Sequence, residues 1–305
     1  MLFFYLIGFM KKLSVVLYSL IILSYSYAQD PNIKDLQSSA NKDLKSNEKD
    51  GWTRSGTLVL NLNQGSLHNW AAGGEQNTLG INGLFNYGIN YRKGRNSWNN
   101  YFDLALGFLN ATSFNRFRKI DDRIDITSKY GYQLSKKWYL ATLANFNSQG
   151  MAGYDYPTNT KISNFLTPGK ILLSVGFDFR PNNDFSLFVS PITTRWILKQ
   201  DADFFALDKF GVAAFQKSYN EVGAYTSAKY IKNINSWAVY TGRVDLFSNY
   251  KRKPGNVDLL FNNLLAMKFN KWLGTTISLD MIYDDDVIKA LQEKEILGVG
   301  LTVKL

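Results

Sequence analysis

Beyond residue 50, apolar and polar residues alternate with a period of two, in segments fit for strands of about eight to fifteen residues. In WLGTTISLDM, Leu273, Thr275, Ile277, Leu279 and Met281 share one face, and Gly274, Thr276, Ser278 and Asp280 share the other. In ILGVGLTVKL, Leu297, Val299, Leu301, Val303 and Leu305 oppose Gly298, Gly300, Thr302 and Lys304. Near the start, LGINGLFNYGINY sets Leu79, Ile81, Phe85, Tyr87, Ile89 and Tyr91 against Gly80, Asn82, Asn86, Gly88 and Asn90. This period places the chain in the all-β class and predicts twelve strands, over 52–64, 77–92, 98–109, 121–134, 137–148, 170–180, 184–191, 219–232, 235–248, 257–270, 272–283 and 296–305. The seventh, FSLFVSPI, is the shortest and ends near a proline; without it, ten strands and a larger plug would remain.

A soluble sandwich also alternates, so the choice of solvent rests on other features. The polar face is rich in Gly, Ser, Thr and Asn, with scattered charges such as Asp103, Asp178, Arg243, Asp245 and Lys268, which suits a wet or crowded interior. Aromatic residues gather near the strand ends: Trp98, Tyr101, Trp138, Tyr139, Trp237 and Trp272. Such positions suit the girdles of a barrel at a membrane surface. In hydrocarbon every backbone polar group needs a partner, and a closed sheet supplies one without a free edge. The connections alternate as well. Those after even-numbered strands are short (KGRNS, SK, NND, NIN and K), and those after odd-numbered strands are longer, above all 149–169 and 192–218. The expectation is an antiparallel transmembrane β-barrel of about 12 strands in the cell outer membrane, both termini periplasmic and the long connections external.

The N-terminus fits that destination. Lys11 and Lys12 precede an apolar run from Leu13 to Leu23, and Ser26-Tyr27-Ala28 forms a small-x-small cleavage site before Gln29. Met10 would make an ordinary start, leaving residues 1–9 as an over-long beginning; an uncleaved membrane anchor is the alternative. Residues 29–50 are polar and lack aromatics, so a flexible segment is expected there. The domain reading is a signal peptide over 1–28, a flexible segment over 29–50 and the barrel over 51–305.

The run QGSLHNWAAGG (64–74), followed by LGINGLFNYGINYRKG and WNNYFDLALGF, resembles the DUF3078 family of uncharacterised exported proteins from Bacteroidetes. The family's Ser-x-x-Asn-Trp-x-x-Gly-Gly element maps onto Ser66, Asn69, Trp70, Gly73 and Gly74, and the likeness extends over most of the mature chain. It implies an outer-membrane β-barrel and brings no catalytic residues. The chain departs from many outer-membrane barrels in ending on Leu305 rather than an aromatic residue.

Candidate chemistry is sparse. There is no cysteine, which excludes disulfides, thiolate metal sites and cysteine nucleophiles. His68 is the lone histidine; with Ser66 and Glu75 it suggests acid–base work, but neither a G-x-S-x-G elbow nor a second histidine supports it. Architecture, with Gly73 and Gly74 permitting a tight fold-back, is the stronger reading of that loop, and ligand contact the second. The acidic run Tyr283-Asp284-Asp285-Asp286 is a candidate cation site without EF-hand spacing. VIKALQEKE after it reads as a short helix pairing Lys289 with Glu293. The basic run Tyr250–Gly255 could touch lipid phosphates or anionic solutes. The +10 formal charge is spread along the chain, which does not point to nucleic acid.

Inside the barrel, Arg180, Lys229, Arg243, Lys268 and Lys304 are expected to face Asp103, Asp125, Asp178, Asp245, Asp258 and Asp280, lining a channel or sealing it. The connection 192–218, with Trp196, Phe204, Phe205 and Phe210, is apolar enough to fold inward as a constriction. No enzyme, cofactor or resident metal is expected. The expected partners are outer-membrane lipids and either small polar solutes or another envelope protein. The functional reading is a channel for small polar solutes; the alternative is a closed structural barrel that binds an envelope partner through its loops.

Overall fold

The computed structural model describes residues 50–66, 77–114, 116–156, 158–182, 184–270, 272–284 and 288–304. The expected signal peptide, nearly all of the flexible segment, the loop with His68 and Trp70, and Asp285–Asp286 lie outside the described residues. The chain forms β1 (Gly51–Ser66), β2 (Asn77–Lys93), β3 (Asn96–Ala111), β4 (Arg118–Gln133), β5 (Trp138–Ser148), β6 (Gly153–Asp155), β7 (Thr160–Ser163), β8 (Gly169–Phe179), β9 (Phe185–Leu198), β10 (Ser218–Asn233), β11 (Ala238–Asn249), β12 (Val257–Lys268), β13 (Leu273–Asp284) and β14 (Ile288–Lys304). β6 and β7 pair as a small hairpin in the connection from β5 to β8. The other twelve are antiparallel neighbours in chain order, and β14 returns to pair with β1.

The alternation sorts side chains inside out relative to a water-soluble sandwich. Outward-facing Leu60, Leu62, Ile81, Leu106, Leu140, Leu173, Val175, Leu246, Leu297 and Val299 are exposed, whereas Ser55, Asn61, Asn82, Asn90, Asn99, Asp178, Glu221 and Asp245 are buried on the inside. At the end carrying the short turns, exposed Trp52, Trp98, Tyr130, Trp138, Tyr230, Trp237, Phe269 and Trp272 form a belt. Within it Trp52 lies 4.8 Å from Tyr91 and 6.1 Å from Trp98, and Trp138 lies 4.7 Å from Phe179. Two residues expected in this belt point inward instead. Tyr139 is buried beneath the Arg180 guanidinium, and the Tyr101 hydroxyl donates to Asn90 Oδ1 at 2.8 Å. Strand geometry forces this result for Tyr139: its neighbour Trp138 takes the outer face, so the next residue must turn inward.

Three further expectations change. The seventh barrel strand, β9, does not stop at Pro191 but runs on to Leu198. Proline cannot donate to a ladder, and the chain solves this with a bulge: pairing slips between Val175 and Phe177 on one side and between Gly223 and Tyr225 on the other. A side chain at Gly176 would collide with the Val189 carbonyl, so only glycine fits opposite the bulge. The extra residue shifts the inward set from Ser186, Phe188 and Ser190 to Thr193 and Arg195. Second, a helix is expected in VIKALQEKE, but from Ile288 onward this segment is the outer half of β14, paired with β13 through Ile282↔Gln292, Met281↔Glu293 and Asp280↔Lys294. Helix-forming residues yield here to a ladder that continues from Leu301 upward. Third, Trp196 belongs to β9, and the connection that follows begins only at Lys199.

That connection folds upon itself. The Lys199 ammonium, fully buried, donates to the carbonyls of Leu207, Val212 and Ala213. Phe204 packs 5.9 Å from Phe210, and Phe205 lies 5.8 Å from Phe215. It also docks on the β5–β8 connection: Thr167 Oγ1 accepts from the backbone N–H groups of Gln200 and Asp201 at 3.0 and 2.9 Å. Lys161 Nζ reaches Asp201 and Asp203, each at 2.7 Å. Hydrogen bonding to Lys161 holds the Asp201 carboxyl below the usual aspartate range, and the two carboxylates raise the Lys161 ammonium. The Asp201 contribution is therefore complete above the ordinary value of about 3.9 and lost as pH falls through the lower native value. Thr167→Val removes both acceptor contacts, and limited proteolysis at neutral pH should then cut 199–217 faster than in the parent. The parent itself should become sensitive only as pH falls below the usual aspartate range.

Candidate functional site: the charged barrel interior

The inward faces carry a set of paired ionisable side chains. On the β5–β11 side the interior is filled: Ala141, Leu143, Leu172, Phe188, Tyr225 and Phe247 form one buried apolar cluster. Arg195 lies over Phe247, 4.0 Å from the ring centre, and contacts Glu221 at 2.5 Å and Asp258 at 2.6 Å. Asn249 Nδ2 donates to the other Glu221 oxygen at 2.9 Å, so the buried carboxylate is held on both sides. Nearby, the Tyr225 hydroxyl donates to Asp245 at 3.0 Å and Arg243 contacts the same carboxylate at 2.9 Å. Towards the short-turn end, Asp178 receives Arg180 at 2.6 Å and Lys129 at 3.0 Å.

A second group of contacts crosses the lumen. Lys170 on β8 meets Asp284 on β13 at 2.9 Å, with four strands between them around the ring. Arg123 on β4 contacts Asp103 on β3 at 3.1 Å and reaches Asp280 on β13 at 3.7 Å. Lys294 on β14 contacts Asp121 on β4 at 2.9 Å and Asp280 at 3.4 Å. Asp280 also accepts from Asn262 Nδ2 at 2.8 Å. Lys229 on β10 stands 5.4 Å from the ring centre of Tyr101 on β3. Side chains that span so many strands fill the bore at their level. They join the opposite walls through charge pairs, which water and ions can disrupt, rather than through a continuous apolar core.

Of the interior residues expected from sequence, Arg180, Arg243, Asp103, Asp178, Asp245, Asp258 and Asp280 take part in these contacts. Asp125 accepts from Asn145 at 2.7 Å, Lys268 ends β12, and the Lys304 side chain lies outside the described residues. Sequence reasoning missed Arg123, Lys129, Lys170, Arg195, Glu221, Lys294 and Asp121. The alternation Asp121-Arg123-Asp125-Lys129 against Ile124 and Ile126 was a usable signal for β4. Arg195 and Lys294 were hidden by the proline bulge and the helix-like sequence. Of the acidic run, Asp284 turns inward, buried, onto Lys170, and Asp285 and Asp286 lie outside the described residues. In the basic run, Tyr250 donates to the Pro191 carbonyl at 2.8 Å and Ser248 to the Pro254 carbonyl at 2.7 Å, which ties that connection to the rim.

The pattern of a family described as "Protein of unknown function (DUF3078)" matches residues 62–154, a narrower span than the sequence resemblance suggested. The comparison with curated proteins gave no match. Among solved structures, the chain is similar to the translocator domain of the autotransporter NalP from Neisseria meningitidis, with 12% identity, 88% of this chain and 95% of that one covered, and a TM-score of 0.39. It is similar to an outer membrane channel from Pseudomonas putida F1 (12% identity, 85% and 96% covered, TM-score 0.38) and to the Ralstonia pickettii toluene transporter TbuX (9%, 84% and 90%, 0.31). No residue is carried across at these values.

Proposed function

We propose that this chain, which carries the DUF3078 pattern over residues 62–154, is a non-enzymatic outer-membrane barrel that passes small polar solutes through a lumen held shut at rest by charge pairs. In this reading residues 1–28 serve as a cleaved export signal, residues 29–50 lead into the barrel, and the short turns face the periplasm. The observation that carries it is the set of ion pairs joining opposite walls: Lys170–Asp284, Arg123–Asp280 and Lys294–Asp121. An interior with only a sealing role is served as well or better by apolar packing, because buried ion pairs repay little of their desolvation cost. Here apolar packing occupies the β5–β11 side, and the charges bridge the remaining space.

Planar-bilayer recording of the refolded protein tests this. The parent should show rare, small openings. The double variant Arg123→Ser, Lys294→Ser frees Asp103, Asp121 and Asp280 and should conduct with larger unit current and a cation preference. A second reading, a permanently closed barrel that acts through its loops, is favoured by the mutual docking of the two long connections on Thr167. Silence from both proteins, with β-sheet shown by circular dichroism, would establish that reading instead.

A further inference from the structure

The ladder that closes the barrel is unlike the others. β1 meets β14 only from Thr57↔Lys304 to Asn61↔Gly300, although both strands continue beyond that level. Among the described residues, 62–66 pair with β2 alone and the β14 segment 288–299 pairs with β13 alone. The hydrogen-bonded pairing of the wall therefore parts above Asn61, whose side chain lies against Gly298. Counting from the aromatic belt at Trp52, a span of about 9–11 residues crosses the hydrocarbon, so the parting begins where the outer head groups lie. There, unlike in hydrocarbon, water can satisfy a bare strand edge.

The two sides of this gap differ chemically. Its outer rim is apolar: Leu62 and Val299, which face each other if the register continues, are 59% and 47% exposed. Its inner rim is polar and short of partners. Asn61, 2% exposed, has neither amide atom hydrogen-bonded, and Asn82 beside it on β2 leaves its carbonyl oxygen unmet. Deeper in, the Arg123 Nε is also unmet, next to the Lys294–Asp121 pair. Unmet donors on Asn61 and Arg123 suit an anionic oxygen, and the apolar rim suits an alkyl chain lying in the bilayer.

We propose that the β1–β14 seam is a lateral portal for a long-chain carboxylate, which enters from the outer leaflet with its head toward Asn61 and Arg123 and its tail between Leu62 and Val299. The proposal rests on the membrane placement argued above but not on conduction. The chain has no cysteine, so Gln64→Cys with Leu297→Cys gives two clean sites facing each other across the gap. Spin labels there, measured in liposomes by electron–electron distance, should give two populations. One lies at the strand spacing of roughly 5 Å plus the label arms, and the other is longer. Sodium laurate below its micellar concentration should shift weight to the longer one, and Asn61→Leu should abolish the shift. A single short population with or without laurate overturns the portal. So does a single long population indifferent to laurate, which would mark a fixed gap suited to an added strand. A barrel that passes no current can still show the laurate shift, and a conducting barrel with a closed seam still fails.

Discussion

Arg195→Met should lower the unfolding free energy of the refolded protein by about 3–5 kcal/mol, read from reversible urea titrations in lipid vesicles. Arg195 bridges Glu221 and Asp258, and its side chain and that of Glu221 are nearly inaccessible. Removing it leaves the Glu221 and Asp258 carboxylates facing one another without their shared guanidinium, although Asn249 still donates to Glu221. Asp258→Asn should cost less, since Arg195 keeps Glu221 and the Asp258 carboxylate is the more accessible of the two. The triple replacement Arg195→Met, Glu221→Leu, Asp258→Leu should recover most of the loss, because exchanging a whole buried ion cluster for apolar groups is often neutral or better. A loss below about 0.5 kcal/mol for Arg195→Met, the range of ordinary surface changes, would mean that the triad is hydrated and the bore at that level is wider than described.

The same triad shows what sequence could and could not reveal. The period of two is local, so all twelve barrel strands were legible, including the order of short and long connections. What escaped was the effect of single-residue insertions. Pro191 looked like an end, yet a bulge opposite Gly176 lets β9 run on and turns Arg195 inward. In 288–295, glutamate, lysine and leucine carried a helical preference that the neighbouring β13 overrode. Partnerships across the lumen were invisible for another reason. Lys170 and Asp284 are 114 positions apart, and their meeting depends on which strands stand opposite once the ring closes. Alternation tells which residues face inward; ring size and stagger decide which of them touch.

Leu173→Arg tests the membrane placement on which the rest depends. Leu173 sits near the middle of β8, faces outward and is 43% exposed. In a water-soluble protein an arginine at such a position would change stability by about 0.5 kcal/mol or less. In a bilayer the same change near the midplane should cost about 2–4 kcal/mol and fall to about 0–1 at the interface. Tyr230→Arg, in the belt at the short-turn end, supplies the interfacial comparison. The expected outcome in vesicle titrations is a large loss for Leu173→Arg beside a small one for Tyr230→Arg. Equal, small losses would place the apolar wall in water or against protein. The charge pairs would then cross the interior of a soluble barrel, and neither a conducting lumen nor a lateral portal would follow. The contrast between the two positions matters more than either value, because a packing defect alone would not follow depth, whereas the cost of taking a guanidinium into hydrocarbon must.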